Sequence, residues 1–394
     1  MLLLGGGIKR RHTFWHEQLE LTGIPVMTTY NGADRVGSEM RNFFGRPNTW
    51  GMRYSNALLG QADLIIAVGT RLGLQQTGFN FASFAPAARI LQVDIDDREF
   101  EKGHPEIEVG YHVDATSFME QLLRVVTWTD RAGWVDHCLM VKDLLPLSDP
   151  TNSNHPGFWN PYDFLAWLSR IAAPDDIVIP CSSGGAFTTF YQGFLQKAGQ
   201  IIISDKSLAS MGYGLAGALG ASISHPNRRV LHIEGDGGFS QNLQELATVK
   251  ARRPHLKMFV LCNDGYASIR MTQRNYFGGH YLGCDDNTGL GFPNWSELAR
   301  AYSIGFRELP VSQPDQVLDL LSSPEPTLIT VPVHPEQTYF PKISSQITAS
   351  GSMESEPLWA ISPRLPEKVA RSIFRFMPPT LVNYYLGRTD KEIG

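Results

Sequence analysis

Arg229-Val230-Leu231-His232-Ile233 leads into Glu234-Gly235-Asp236-Gly237-Gly238-Phe239, and a second apolar run, Lys257-Met258-Phe259-Val260-Leu261-Cys262, leads into Asn263. Both apolar runs read as short buried strands, bounded by Gly-rich turns and separated by a helical pattern. In a parallel sheet, the Asp236 carboxylate and the Asn263 carboxamide then emerge side by side at the carboxyl ends of neighbouring strands. Open α/β sheets bind their ligands there. Hard oxygen donors beside glycine backbone suit Mg²⁺ shared with a diphosphate, whose oxygens and water complete an octahedron.

Asp236 also reads as a plain cap on the helix that follows. The strand before it, the glycines after it and Asn263 beyond a second strand favour the metal. Gly235, Gly237 and Gly238 let backbone approach a phosphate at the start of a helix expected over 240–251, where free N–H groups and the helix dipole attract an anion. Gly265 would add only a carbonyl, so its side chain carries no information. Met211 opens a helix expected over 211–222 that is rich in small residues. Close helix–sheet packing explains most of its glycines, and Met211 reads as core or as an apolar wedge under a cofactor.

Outward from this stretch, strand and helix signals alternate, which implies βαβ units and parallel sheets. The expectation is an α/β chain with two doubly wound parallel-sheet domains and a C-terminal tail. The first domain spans 1–126, with strands at Leu2-Leu3-Leu4, 24–29, 63–69 and 89–96 and a helix near 12–21. Residues 127–160 lose periodicity, collect Pro146, Pro150 and Pro156, and read as a linker. The second domain spans 161–340, with a helix near 161–172 and strands at 176–180, 201–204 and 327–333 besides the two already quoted. A tail, 341–394, carries a helix near 367–376.

Other candidates carry less. Gly5-Gly6-Gly7 follows a strand, but Arg10 breaks the GxGxxG spacing of a dinucleotide loop. Asp94 and Asp96 end a strand as a ribose-binding acid does, and Arg71 reads as a phosphate ligand or a solvated strand end. Ser182-Ser183-Gly184-Gly185 binds an anion or merely turns. His280 reads as a surface loop residue, and the aromatic stretch 266–281, opened by Tyr266, as a lid or as packing. The net charge of −5 argues against a general nucleic-acid or anionic-membrane binder. Cys138, Cys181, Cys262 and Cys284 form no CxxC pair, so reduced thiols and a cytoplasmic setting are the expectation. No signal peptide or bilayer-length apolar run is visible.

The 234–263 segment and its surroundings resemble the thiamine-diphosphate enzymes of the acetolactate synthase/pyruvate decarboxylase superfamily. The resemblance covers nearly the whole chain, with 1–126 similar to the family's central domain and 160–340 to its diphosphate-binding domain. It implies thiamine diphosphate held through Mg²⁺ on Asp236, Asn263 and the Gly265 carbonyl, with Gly237 and Gly238 along the diphosphate. Met211 would then support the cofactor and Tyr266 would belong to the same site. Tyr339-Phe340-Pro341-Lys342-Ile343 and Ser352-Met353-Glu354-Ser355 resemble the carboxyl ends of acetolactate-synthase-like members, which implies carboligation or decarboxylation of a pyruvate-like 2-oxo acid.

Three departures stand out. Cys262-Asn263 replaces an Asn-Asn pair, Gly185-Ala186 replaces a Gln-His pair, and the family's pyrimidine-binding domain has no counterpart in the sequence. That domain supplies the glutamate that activates the aminopyrimidine ring, an acid–base role for a positioned carboxylate. No glutamate here matches it. That domain is then expected from a partner chain in a homo- or hetero-oligomer, acting in trans, or from upstream coding sequence; the alternative is a truncated, non-catalytic relative that binds thiamine diphosphate or a partner subunit. FAD stays open, since some relatives hold a flavin in the central domain.

Overall fold

The computed structural model describes residues 1–10, 15–126, 131–181, 184–205, 208–347 and 353–387. Ser182, Ser183 and Ser352, singled out above, lie outside them, as do residues 12–14 of the first expected helix. The chain divides into two compact units: 1–150 with 196–198 and 340–394, and 151–195 with 199–339.

The first unit holds a fully parallel sheet of β1 (Leu2–Leu4), β2 (Val26–Thr28), β3 (Leu64–Val68), β4 (Arg89–Asp94) and β5 (Val109–His112), in the order β2-β1-β3-β4-β5. Alternate residues serve opposite faces. Leu3, Ile65 and Ala67 join one apolar cluster, while Leu2, Leu4 and Val68 join another with Trp15 and Leu19 of the helix Trp15–Thr22. Such two-sided burial explains why these strands read as continuous apolar runs. β5 escaped the sequence reading because all four of its residues are exposed.

Two stretches differ from expectation. Within the expected linker, Ala132–Leu144 forms a helix whose Cys138 and Val141 enter the first cluster. The residues expected as a tail also pack there: Trp359, Ile373, Phe374 and Met377 are buried, and the helix Glu367–Ile373 falls where the sequence placed it. Polar contacts fix that register. The Gln61 Nε2 donates to the Ile373 carbonyl at 2.9 Å, and the Trp359 indole donates to the Ser83 carbonyl at 3.1 Å.

The second unit holds six parallel strands: β6 (Ile177–Pro180), β7 (Ile201–Ile202), β8 (Val230–Gly235), β9 (Leu256–Cys262), β10 (Gly305–Glu308) and β11 (Thr327–Pro332). Their order is β10-β11-β9-β8-β6-β7. The chain runs outward from β6 to β7 and then crosses back to β8, so the order reverses between β6 and β8, where doubly wound sheets open a crevice. Both faces are covered, one by Leu215, Ala218 and Leu219 of the helix Tyr213–Ser224, the other by Phe164 and Trp167 against Phe259. Close approach to the sheet decides Gly214, since a Cβ there would lie 2.4 Å from His232 Nε2.

The expected helix 240–251 is a further correction. A single turn, Asp236–Phe239, begins directly at β8, a 3₁₀ segment Ser240–Glu245 follows, and Leu246–Arg252 completes the path. The break falls at Asn242, whose φ of −144° is not helical and whose side-chain amide donates to the Gly212 carbonyl at 3.0 Å. Among the described residues no helix is long and apolar enough to cross a membrane.

The packing of Trp359 yields a stability prediction. Trp359→Ala is expected to lower unfolding stability by about 3–5 kcal/mol, the range for removing a buried aromatic side chain. Urea unfolding measures it. A loss below about 1 kcal/mol would mean that the last fifty residues are a peripheral appendage.

Candidate functional site

The carboxyl ends of β6, β8, β9 and β11 converge on a cavity of about 120 Å³. Gly184 and Gly185 line it after β6, Gly235 to Gly238 at β8, Asn263 and Gly265 to Ile269 after β9, and Val333 and Tyr339 after β11; Met211 closes a further side. Every site residue expected from the sequence lines this one cavity: Met211, Gly235, Asp236, Gly237, Gly238, Asn263, Gly265 and Tyr266.

Asp236 organises the floor. Its Oδ1 accepts the Gly237 N–H at 2.8 Å, and its Oδ2 accepts the N–H groups of Asn263 at 2.9 Å and Asp264 at 2.8 Å. Gly235 takes the cap position of the short turn Asp236–Phe239, so Asp236 opens that turn and ties it to the loop after β9. Desolvation dominates its titration: only 2% exposed, Asp236 has its pKa pushed up to about 6, despite backbone N–H donors that favour the charged form. A buried carboxylate in that condition is prepared for a positive partner.

The loop after β9 is held from the other side by Arg270, itself buried. Its Nη2 donates to the Asn263 carbonyl at 2.7 Å and its Nη1 to the Asp264 carbonyl at 3.1 Å. Nη2 also reaches the Pro335 carbonyl at 3.4 Å, which ties this loop to the one after β11. Arg270 takes the carbonyls of Asn263 and Asp264 and leaves that of Gly265 to other use. The loop needs unusual backbone: Asp264 has φ +57° and Gly265 φ +153°. A Cβ at 265 would lie 2.1 Å from the Cys284 carbonyl oxygen.

A carboxylate, a carboxamide and a backbone carbonyl form an all-oxygen donor set with one negative charge, the kind that suits Mg²⁺ completed by phosphate oxygens and water. The glycine backbone beside it and the N–H groups of the turn starting at β8 offer room and donors for a diphosphate. Met211 projects beside them with 42% exposure, on a loop whose flanking residues Ala209 and Gly212 both take positive φ. Asp205 holds that loop, accepting the Ser210 N–H on Oδ2 at 2.6 Å. The Tyr266 ring lies so close to Gly237 that a Cβ there would sit 2.4 Å from it, and the Tyr266 hydroxyl accepts from Gln241 Nε2 at 3.1 Å.

Two lining residues and one behind the wall, Arg270, escaped the sequence reading in this role. Tyr339 is buried and has its hydroxyl pKa pushed up by burial and by the charge of Asp236. Gly185 lies against its ring. Arg270 carried no signal because its partners are carbonyls. Other candidates stand apart. His280 is exposed and does not line the cavity. In the first unit Arg71 pairs with Glu99 at 3.2 Å and Arg98 with Asp96 at 2.8 Å, while Asp94 Oδ1 accepts the Asp96 N–H at 3.1 Å. A depression of about 390 Å³ lies among them. Its three cations already have acidic partners, Glu99 serving both Arg71 and Lys102, and the flavin expectation gains no support.

Comparison with known proteins adds two family-model matches. Residues 1–122 match the central domain of thiamine pyrophosphate enzymes, and residues 184–331 match their C-terminal TPP-binding domain. The acetolactate synthase isozyme 2 large subunit of Escherichia coli K12 is 28% identical over 360 residues, covering 90% of this chain and 63% of that protein. The acetolactate synthase large subunit of Porphyra purpurea is 27% identical, over 87% of this chain and 58% of its own length. Acetolactate synthase 1, chloroplastic, of Zea mays is 28% identical, over 88% and 55%. The chain thus spans roughly three-fifths of the length of the curated relatives it matches. A thiamine diphosphate-dependent 4-hydroxybenzoylformate decarboxylase of Rhodococcus jostii RHA1 shares the fold, with a TM-score of 0.66 at 20% identity over 85% of this chain and 61% of that one.

The strained loop can be probed without any ligand. Gly265→Ala is expected to cost about 1–3 kcal/mol of unfolding stability, from steric overlap with the Cys284 carbonyl. Gly133→Ala, where a Cβ meets nothing within 4 Å, serves as the control. Equal effects in denaturant titrations would contradict the loop geometry.

Proposed function

We propose, from the premise that this chain belongs to the thiamine pyrophosphate enzymes, that it is the diphosphate-binding part of a Mg²⁺-dependent, acetolactate synthase-like carboligase or decarboxylase acting on a pyruvate-like 2-oxo acid. The observation that carries this reading is the buried Asp236 carboxylate set beside Asn263 and Gly265 at the ends of β8 and β9. The names of the relatives support a carboligation, and the decarboxylase of like fold is consistent with loss of CO₂ as the shared early step.

In this reading thiamine diphosphate supplies, when bound, a nucleophilic carbon and an electron sink for the bond cleaved beside the substrate carbonyl. The chain's own residues bind and orient. Asp236, Asn263 and the Gly265 carbonyl hold Mg²⁺, and the backbone at Gly237 and Gly238 meets the diphosphate. Met211 supports the organic part of the cofactor from its fixed loop. The activating carboxylate is assigned to a pyrimidine-binding domain outside these 394 residues, supplied in cis or by a partner subunit.

Calorimetry of thiamine diphosphate with and without Mg²⁺ tests the reading on the chain itself. Binding is expected only with the metal, and Asp236→Ala is expected to abolish it. The pH dependence has a definite sign. Below about 6 a proton occupies Asp236, and a cation needs the bare carboxylate. Metal-dependent affinity should therefore rise from pH 5 to pH 7 and then level off. Binding that ignores Mg²⁺, or survives in Asp236→Ala, would sink the assignment.

A further inference from the structure

The loop after β6 reaches the cavity as Gly184 and Gly185, which bring no side chain to it. Gly185-Ala186 stands in this sequence in place of a Gln-His pair, so a polar side chain has left this wall. Another group takes the space. A Cβ on Gly185 would lie 2.7 Å from Tyr339 Cε1, 2.8 Å from Cζ and 2.9 Å from the hydroxyl oxygen. The hydroxyl end of the ring, rather than its root, thus stands where a side chain at 185 would begin. Tyr339 comes from the loop after β11 and lines the same cavity.

The sheet decides what lies next to this hydroxyl. β6 and β8 are hydrogen-bonded neighbours, with Pro180 opposite Ile233. The chain just beyond β6 therefore runs beside the turn from Gly235 to Gly238, where glycine backbone makes room for a diphosphate. The cavity holds only about 120 Å³, so a group at position 185 and an anion at that turn share one small space.

We propose, resting on the diphosphate-site reading of this cavity, that Tyr339 is a further cofactor-binding residue: its hydroxyl donates a hydrogen bond to the diphosphate from the place that a side chain at 185 would hold. A phenol O–H is an uncharged donor, and a hydrogen bond to an ionised acceptor is stronger than one between neutral groups. Burial and the charge of Asp236 push the phenol pKa up, so the proton to be donated stays on the oxygen at neutral pH. The donor is also held in place. Thr338 Oγ1 accepts the Ser153 N–H at 2.8 Å, the Thr338 N–H donates to Ser153 Oγ at 3.2 Å, and Gln337 Nε2 donates to the Ser153 carbonyl at 2.9 Å. A hydroxyl on a loop fixed in this way loses little freedom when the ligand arrives.

Calorimetric titration of the full chain with thiamine diphosphate, and separately with inorganic diphosphate, both at saturating Mg²⁺, tests this role; urea unfolding of each variant confirms that it is folded. Tyr339→Phe keeps the ring and removes the O–H. It is expected to weaken thiamine diphosphate about tenfold or more, the scale for one hydrogen bond to a charged group, and to weaken inorganic diphosphate by the same factor. Gly185→Ala should weaken both ligands by displacing the ring, and should cost nothing further once Tyr339→Leu has removed it, a non-additivity expected of groups in contact. Unchanged thiamine diphosphate affinity in Tyr339→Phe, inorganic diphosphate that fails to distinguish that variant from the unmodified chain, or additive losses in the double variant would overturn this role alone. If the unmodified chain binds neither ligand in the presence of Mg²⁺, the diphosphate-site reading falls together with it.

Discussion

The bonds from the Asn263 and Asp264 backbone N–H groups to Asp236 Oδ2 hold the site together. Parallel strands fix the spacing of β8 and β9, but nothing in a sheet ladder dictates what the chain does beyond its last paired residue. Here one carboxylate at the end of β8 gathers the first two amides beyond β9. The sharp loop that follows, with its two unusual φ values, is the consequence. Arg270 then secures the outward-facing carbonyls, so both edges of the peptide planes at 263 and 264 are engaged. The Asn263 side chain is thereby brought to the cavity by main-chain bonds.

The same economy shapes the surrounding walls. Where the Tyr266 ring must lie over the turn from β8, position 237 carries no Cβ, and where the Tyr339 ring enters, position 185 carries none. Aromatic rings are rigid at low entropic cost and fill space that flexible chains would leave ill defined. The cavity is thus walled on two sides by rings seated on glycine, while Met211 presents a soft apolar side chain on its own constrained loop.

The sequence made the centre of this site legible because its signals are local. An apolar run followed by Asp-Gly-Gly, and another followed by Asn, declare strand ends and their cargo within a few residues. Nearly all of the two-sided strands were readable for the same reason. What escaped were features set by distant partners. β5 and β10 are largely exposed edge strands without an apolar run. The helix Ala132–Leu144 buries a stripe amid charged residues, and its membership of one core with Ile373, Phe374 and Met377 is a tertiary fact. The kink at Asn242 depends on the Gly212 carbonyl. Tyr339 meets Gly185 from a loop that Ser153 pins, and no window of sequence contains all three.

The energetic state of Asp236 links the fold to the function proposed for it. Raising its pKa from 3.8 to about 6 corresponds to roughly 3 kcal/mol against the charged form in the folded chain. Without a cation that penalty is present at neutral pH, fades as pH falls from about 6 toward 4, and is absent once the group is protonated in both states. In the proposed reading a divalent cation at the carboxylate would offset it without a proton, so part of that cation's binding free energy would be set by how deeply the fold buries Asp236. Moving the carboxylate toward solvent would stabilise the unliganded chain at neutral pH and weaken its hold on the metal. Under that proposal, burial of this one acid would make folding stability and metal affinity opposite sides of a single linkage, with the backbone N–H groups around it favouring the charged form.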